Sequence, residues 1–206
     1  MPSHQPTDAP SDESPGPDPL AAFLEWQALA AERGGAMPDA FALATATRDG
    51  RPSVRIVLFK GVVDGALRLV TNYQSRKGRE LVENPHGALA FYWPVLERQV
   101  RMEGKLELAG PGESDAYFAS RDRESQLGAW ASAQSRPVAS RAILLEELAR
   151  VRARFGDGPI ARPPHWGVVR LIPERIELWM AGAHRLHDRF AYTREGSGWR
   201  RERLMP

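Results

Sequence analysis

From Ala40 to Leu108, and again from Trp166 to Leu204, the chain is a run of short apolar stretches broken by tight-turn signals. That spacing narrows the possible folds more than any other feature. Phe41 to Thr47 leads into Arg48-Asp49-Gly50-Arg51, a hairpin signal of the Asp-Gly type, and Pro52 to Phe59 follows. A second turn at Asp64-Gly65 opens Leu67 to Thr71; Ala88 to Trp93 and Gln99 to Leu108 read as two more strands. Strands are expected again at Trp166 to Leu171, Arg175 to Trp179, Leu186 to Thr193 and Trp199 to Leu204, the last pair joined through Gly196-Ser197-Gly198. Helices punctuate this pattern. Asp18-Pro19 reads as N-cap and first helical residue of a helix with Leu20, Phe23, Leu24 and Ala31 near one face, stopped by Gly34-Gly35. Ser75 caps a short helix ending near Asn84-Pro85, and helical pieces follow at Glu113 to Ser120, Gln126 to Ala131 and Ser140 to Phe155, the last with a buried stripe of Leu144, Leu148, Val151 and Phe155. Many antiparallel-type strands with inserted helices predict an α+β fold, a β-barrel with peripheral helices.

A chain of 206 residues buries a sizeable core without staples, and one domain is the simplest division, residues 18–206. Met1 to Pro17 is rich in Pro, Ser and Asp and nearly free of large apolar residues, so it is expected to form a disordered tail. The absence of cysteine rules out disulfides, thiolate metal sites and cysteine nucleophiles, and fits a reducing cytoplasm. No apolar run is long enough for a membrane span, and the acidic, proline-rich start does not resemble a signal peptide. Lys+Arg of 28 against Asp+Glu of 26 is too balanced to point to nucleic acid, and basic residues form no stripe interleaved with aromatics. H-E-x-x-H, G-x-S-x-G and Walker-type loops are missing, and the five His have no metal-ligand spacing.

What remains is a set of separate cationic positions. In Arg185-Leu186-His187-Asp188-Arg189, read as a strand, Arg185, His187 and Arg189 project together while Leu186, Phe190 and Tyr192 project the other way. Two guanidiniums and an imidazole on one face suit an anion; the plain alternative is a half-buried strand with a wet side. Arg55-Ile56-Val57-Leu58-Phe59-Lys60 is an apolar strand with a cation near each end, and the two face opposite ways unless a bulge intervenes. Ser75-Arg76-Lys77 puts cations in a helix's first turn, against the macrodipole, which makes sense if an external anion sits there. Tyr117, Arg121 and Ser125, spaced by four, would share one face of a helix and could hold another phosphate. Gln99 and Gln134-Ser135 mean little by themselves. Several cationic sites on a barrel point to phosphorylated small molecules.

Together these segments resemble the pyridoxine/pyridoxamine 5′-phosphate oxidase family. The resemblance covers roughly Asp18 to Pro206 and rests on R-I-V-L-F-K, T-N-Y-Q-S-R-K, E-R-Q-V-R, Y-F-A-S-R-D-R-E-S-Q-L-G-A-W-A-S-A-Q-S, I-E-L-W, H-R-L-H-D-R-F and a closing R-L-x-P, in that order. It implies an FMN-binding split β-barrel working as a homodimer, with FMN where two subunits meet. By position, Arg55, Ile56, Val57, Leu58, Lys60, Val70, Thr71, Ser75, Arg76, Lys77, Gln99, Gln134, Ser135, Trp179 and Arg189 look like flavin contacts, with Arg76 and Lys77 on its phosphate. Lys60, Tyr117, Arg121 and Ser125 look like holders of the substrate phosphate, with Arg185 and His187 beside the reacting carbon. The implied reaction oxidises pyridoxamine 5′-phosphate and pyridoxine 5′-phosphate to pyridoxal 5′-phosphate, with O2 as acceptor and hydrogen peroxide as by-product. The chain departs from the family pattern at Val70 (often Tyr), at Met180 (Gln expected) and at Trp166-Gly167-Val168-Val169-Arg170, and no Arg- and Tyr-bearing segment stands in Met1 to Pro17. Three other readings stay open: a same-fold flavin oxidase acting on another aromatic, of the phenazine-biosynthesis type, a non-catalytic FMN- or B6-phosphate-binding protein, and a generic structural barrel.

Overall fold

The structure, a computed structural model, describes residues 14–206. The expected tail therefore lies outside the described residues as far as Glu13. Its last part, Ser14 to Gly16, is held: the buried Tyr192 hydroxyl donates to the carbonyls of Pro15 (3.2 Å) and Gly16 (2.9 Å), and Arg201 donates to Ser14 Oγ and the Pro15 carbonyl.

Nine strands form one antiparallel sheet: β1 (Ala40–Ala46), β2 (Pro52–Leu58), β3 (Val62–Val63), β4 (Ala66–Asn72), β5 (His86–Trp93), β6 (Arg98–Leu108), β7 (Trp166–Met180), β8 (Asp188–Glu195) and β9 (Gly198–Leu204). The hydrogen-bonded order is β2-β1-β5-β6-β7-β4-β3, with β8 on β7 and β9 on β8. The two strands expected between Trp166 and Trp179 are one long strand, β7, and that strand is where the sheet divides. One edge of β7 pairs with β6 throughout; on the other, Trp166 to Leu171 pairs with β4 and Arg175 to Met180 with β8. Pro173, which has no N–H to give a ladder, sits at the fork, and the β6–β7 register shifts there between Glu103 and Gly104. Gly104 is needed at that shift because a Cβ would run into the Ile172 carbonyl. β2 and β4 draw near one another with no ladder between them, so the curled sheet stays open.

Alternation decides the core. Phe41 and Leu43 of β1, Val100, Met102 and Leu106 of β6, and Ile176 and Leu178 of β7 point inward and are buried. Helix α1 (Pro19–Glu32), capped by Asp18 accepting from the Leu20 N–H at 2.9 Å, plugs the barrel. Its buried stripe is Leu20, Phe23, Trp26 and Ala30; Leu24 and Ala31 of the expected face are exposed, because the packed face lies toward Trp26. Phe23 meets Phe91 at 4.9 Å and Phe59 edge-on at 5.3 Å, so truncating it to Ala should cost about 3–5 kcal/mol. A second, smaller core joins α3 (Pro111–Ala119), α4 (Arg123–Ala131) and α5 (Arg141–Phe155) through Phe118, Leu127, Val151 and Trp166. Of the stripe expected on α5, Val151 is buried and Leu148 and Phe155 are half-buried, but Leu144 is exposed, as is every residue from Ala133 to Glu146.

Two local expectations are corrected. The strand expected from Leu186 begins at Asp188; Ala183–Arg185 is a 3₁₀ turn with His184 (φ 54) and Arg185 (φ 67) left-handed, and Leu186 is 72% exposed. The chain folds back so closely there that a Cβ on Gly182 would strike the Leu186 carbonyl. Of the three side chains expected to align, only Arg189 is on a strand. Nor do Tyr117, Arg121 and Ser125 share a helix: α3 ends at Ala119, and Asp122 caps α4 by accepting from the Ser125 N–H at 2.8 Å.

Candidate functional site

One cavity of about 580 Å³ gathers most of the expected cationic positions. Its lining includes Arg55, Lys60, Lys77, Tyr117, Arg121, Ser125 and Gln134, with Ile56, Val57, Leu58 and Val70 forming its apolar wall. β2 ends at Leu58 and the chain turns at Gly61 (φ 92), so Arg55 and Lys60 reach the same cavity without being in register on one strand. The helix–turn–helix of α3 and α4 still delivers Tyr117, Arg121 and Ser125 to it.

At one end lies the start of α2 (Arg76–Glu83). Ser75 is fully buried; its hydroxyl donates to the Asn72 carbonyl (2.6 Å), accepts from the Gly78 N–H (3.2 Å) and lies 3.4 Å from Thr71 Oγ1. Gly78 permits this close seat, since a Cβ would collide with the Tyr73 carbonyl. Lys77 Nζ donates to Gln134 Oε1 at 2.7 Å and to Ser75 Oγ at 3.4 Å. Burial, and then the neighbouring Arg55 charge, push its ammonium down to about 8. Ser135 lies next to Gln134 in the left-handed region (φ 70), on the exposed segment before α5.

Behind this end is a buried carboxylate that the sequence reading did not single out. Glu80 accepts from Thr45 Oγ1 (2.5 Å), Ser53 Oγ (2.5 Å) and Arg76 Nε (2.8 Å), with Arg55 Nη2 at 3.4 Å. Desolvation raises its pKa, but hydrogen bonds from Ser53, Thr45 and Arg76 outweigh that and hold it down at about 2. Arg55 is further tied to Thr45 Oγ1 (2.6 Å) and the Leu43 carbonyl (3.2 Å). Arg76 is bound only through Nε among the described residues, which leaves its terminal nitrogens available to an anion. The i,i+4 spacing of Arg76 and Glu80 was a usable signal.

At the other end, Arg121 lies 4.7 Å over the Trp166 ring and has a buried Nη1 with no hydrogen-bond partner. Burial pushes its pKa below the ordinary guanidinium value, and burial raises Tyr117 above the ordinary phenol value. A buried guanidinium nitrogen with no acceptor costs free energy unless a ligand supplies one. The arrangement therefore offers an anion at each end of an apolar-walled slot: guanidinium and ammonium at the α2 end, guanidinium, phenol, ammonium and hydroxyl at the α3–α4 end.

Nine expected residues are absent from this lining: Thr71, Ser75, Arg76 and Ser135, which flank Lys77 and Gln134, and five on or near β6 to β8. Gln99, Trp179 and Arg189 are direct cross-strand neighbours on β6, β7 and β8. Arg189 bonds Glu177 through Nε (3.0 Å) and Nη2 (3.2 Å) and the Met205 carbonyl through Nη1 (2.9 Å); Arg101 meets the same carboxylate. Burial pushes Glu177 up, and the bonds from Arg189 and Arg101 more than offset it, so its pKa is lowered. His187 stands beside Trp179, ring centres 4.7 Å apart, and its Nδ1 accepts from the Gly182 N–H at 3.1 Å. With Nδ1 accepting, Nε2 is the ring nitrogen that carries hydrogen and can donate. Arg185 is exposed and makes no hydrogen bond among the described residues.

The same outer sheet face carries the row Ile56–Ala42–Ala90–Arg101–Glu177–Ala191, next to the row Tyr92–Gln99–Trp179–Arg189. Alanines, Ile56, Tyr92 and Trp179 share these rows with Gln99 and the charged Arg101, Glu177 and Arg189, and Val54 (69%) and Ile56 (66%) are exposed at the β2 edge. No helix among the described residues is long and apolar enough to cross a membrane.

Comparison with known proteins decides the family. The family model described as pyridoxamine 5′-phosphate oxidase matches residues 30–155, and that of the pyridoxine 5′-phosphate oxidase C-terminal dimerisation region matches residues 166–206. The chain belongs to the pyridoxine/pyridoxamine 5′-phosphate oxidase family. Membership makes it an oxidoreductase. It is 52% identical to the pyridoxine/pyridoxamine 5′-phosphate oxidase of Rubrobacter xylanophilus, over 95% of this chain and 90% of that one. With the enzyme of that name from Gluconobacter oxydans it shares 51% identity, over 92% and 94%. Among solved structures, PhzG from Burkholderia lata, in complex with tetrahydrophenazine-1-carboxylic acid, superposes with a TM-score of 0.89 at 32% identity, covering 96% of this chain and 97% of that one. A pyridoxamine 5′-phosphate oxidase-related, FMN-binding protein from Nostoc punctiforme (TM-score 0.68, 20% identity, covering 91% and 95%) has the same fold, which supports the open antiparallel barrel as the family architecture.

Proposed function

We propose that this chain binds FMN and oxidises pyridoxamine 5′-phosphate and pyridoxine 5′-phosphate to pyridoxal 5′-phosphate, using O2 and releasing hydrogen peroxide, as a cytoplasmic homodimer. The observation that carries the reading is the cavity with a cationic cluster at each end, the far one holding a buried Arg121 nitrogen that lacks an acceptor. A flavin phosphate and a vitamer phosphate supply the two anions. The residues present fit FMN: the Ser75-capped helix start, the free fork of Arg76, Lys77 and Arg55 match a phosphate, while Ile56 to Leu58 and Val70 offer an apolar wall to a ring. The chemistry FMN supplies when bound is acceptance of a hydride from the substrate's C4′ carbon and reoxidation by dioxygen.

The chain does the rest. Lys60, Tyr117, Arg121 and Ser125 bind the substrate phosphate and fix how far the ring enters. Each charge-assisted contact contributes about 1.5–3 kcal/mol. His187 donates from Nε2 and Arg185 adds a positive charge beside the reacting carbon, orienting the substrate and stabilising charge as it develops. Gln99, Trp179 and Arg189 hold the flavin on the same side. Because Gln99, Trp179 and Arg189 lie on the outer sheet face, off the cavity, with His187 beside Trp179, a second copy completes the site. The dimerisation-region match over residues 166–206, the part that carries Trp179 to Arg189, supports this arrangement.

The deciding measurement is the visible spectrum of the purified protein before and after anaerobic addition of pyridoxamine 5′-phosphate. Bands of a bound flavin should bleach, and air should restore them with formation of the aldehyde and peroxide. The likeness to PhzG favours one other reading, oxidation of a phenazine-type aromatic. Flavin bands that persist with both B6 phosphates would sink the first reading and favour the second.

A further inference from the structure

Arg68, on β4, is outside every role assigned above, yet its surroundings are unusual. Its direct cross-strand partner on β7 is another cation, Arg170. The single nearby counter-charge, Glu113 of α3, is taken mainly by Arg170, whose Nε (2.8 Å) and Nη2 (2.5 Å) both reach Glu113 Oε2; Asp64 adds a pairing at 3.5 Å. Arg68 is left with Glu113 Oε1 at 3.7 Å, beyond hydrogen-bond range. Both Arg68 Nε and Glu113 Oε1 are buried without a partner. The charge of Arg68 is thus only weakly compensated.

Its position connects this charge to the cavity. Val70, two residues on and so on the same face of β4, lines the cavity. The Lys60 N–H donates to the Arg68 carbonyl and the Arg68 N–H to the Gly61 carbonyl, both at 2.9 Å. The guanidinium lies over Gly61, where a Cβ would come within 3.0 Å of Nη2. The backbone at residue 68 holds the turn that aims Lys60, the guanidinium packs against that turn at Gly61, and its charge is felt at the Tyr117 hydroxyl.

We infer that Arg68 is a positioning residue for the substrate-phosphate end of the cavity, holding the Lys60–Gly61 turn and adding an under-neutralised positive charge behind Lys60 and Tyr117. This rests on the proposed function, and it assigns Arg68 no contact with the substrate. In the FMN-loaded enzyme, Arg68→Gln should raise KM for pyridoxamine 5′-phosphate about three- to tenfold with kcat changed by less than about twofold. Arg68→Lys, which keeps the charge, should recover most of the loss. Glu113→Gln, which removes the competing negative charge, should move KM the opposite way. The dissociation constant of pyridoxal 5′-phosphate, read from its absorbance, should follow the same three-way order without turnover, and flavin retention should not change. An unaltered KM in Arg68→Gln would overturn the inference. So would equal losses of KM, flavin retention and thermal stability that Lys does not rescue, or a rise in KM in Glu113→Gln. A wild-type protein that neither oxidises pyridoxamine 5′-phosphate nor binds the aldehyde would instead bring down the proposed function, and this assignment with it.

Discussion

The two groups of candidate residues are built differently. The cavity group is anchored from behind: Glu80 ties Thr45, Ser53, Arg55 and Arg76 together, Ser75 caps α2 inside the protein, and Trp166 lies under Arg121. The proposed catalytic pair sits on and just after a short turn with two left-handed residues; His187 is held by one backbone hydrogen bond and the neighbouring Trp179 ring, and Arg185 by nothing among the described residues. The proposed anion sites are thus held in place from behind, whereas the proposed catalytic side chains have few holds of their own. On the proposed reading, the cavity residues and those beside Trp179 serve one site only when a second copy is present.

Stability should separate the halves most sharply. Glu80→Ala leaves two guanidiniums and two hydroxyls without their shared acceptor and should cost about 3–5 kcal/mol in denaturant unfolding. Arg185→Ala removes an exposed side chain with no described partner and should stay within about 0.5 kcal/mol of the parent. A similar loss in both variants would erase the distinction.

Turnover should give the reverse ranking. His187→Ala or Arg185→Ala should lower kcat on the order of 10²- to 10³-fold, as for loss of one preorganised donor, while flavin retention is unchanged. Parallel loss of flavin would mean these side chains hold the cofactor instead. Arg121→Ala should act on the other half, raising KM about 10- to 100-fold through one lost charge-assisted contact. The two variants together test the shared site. In a dimer refolded from equal amounts of Arg121→Ala and His187→Ala chains, one site of each mixed pair regains both intact halves, so activity should return to about a quarter of the parent's. Mixed protein as inactive as either variant alone would confine the site to one chain.

How much of this was legible in the sequence follows from the range of each signal. Strand alternation and Asp-Gly turns act locally, so most strands, the Ser75 cap and α5 could be read directly. The division of β7 could not, because Pro173 alone looks like a strand break and the β6 pairing that resumes on either side of it, with a shifted register, is long-range. The alignment of Arg185 and His187 with Arg189 failed for a related reason: Gly182 lets the chain fold back, and alternation says nothing about where a strand starts. The cationic cavity residues were found from their types and order, but Glu80, Glu177 and Arg68 were not. Their importance comes from which charges the tertiary fold sets around them, and single charged residues inside apolar runs give little hint of that.

The smallest effect expected is on pH dependence, and it reports on the better-anchored half alone. In the free protein Lys77 titrates at about 8, lowered chiefly by burial and then by Arg55. A lysine whose folded pKa lies below its unfolded value of 10.5 binds fewer protons folded than unfolded between about 8 and 10.5. Folding stability of the flavin-free protein should therefore gain from this group as pH rises through that window. Phosphate binding has the opposite sign, because the dianion favours the charged ammonium. FMN affinity should be steady below about 8 and fall by up to tenfold per pH unit above it, the limit for one coupled proton. Riboflavin, which lacks the phosphate, should show no such fall, and Lys77→Arg should flatten the FMN curve by keeping its charge throughout. Flavin fluorescence quenching across this range measures all three. If riboflavin and FMN weaken in parallel, Lys77 does not meet the phosphate, and the anion at the start of α2 belongs to something other than the cofactor.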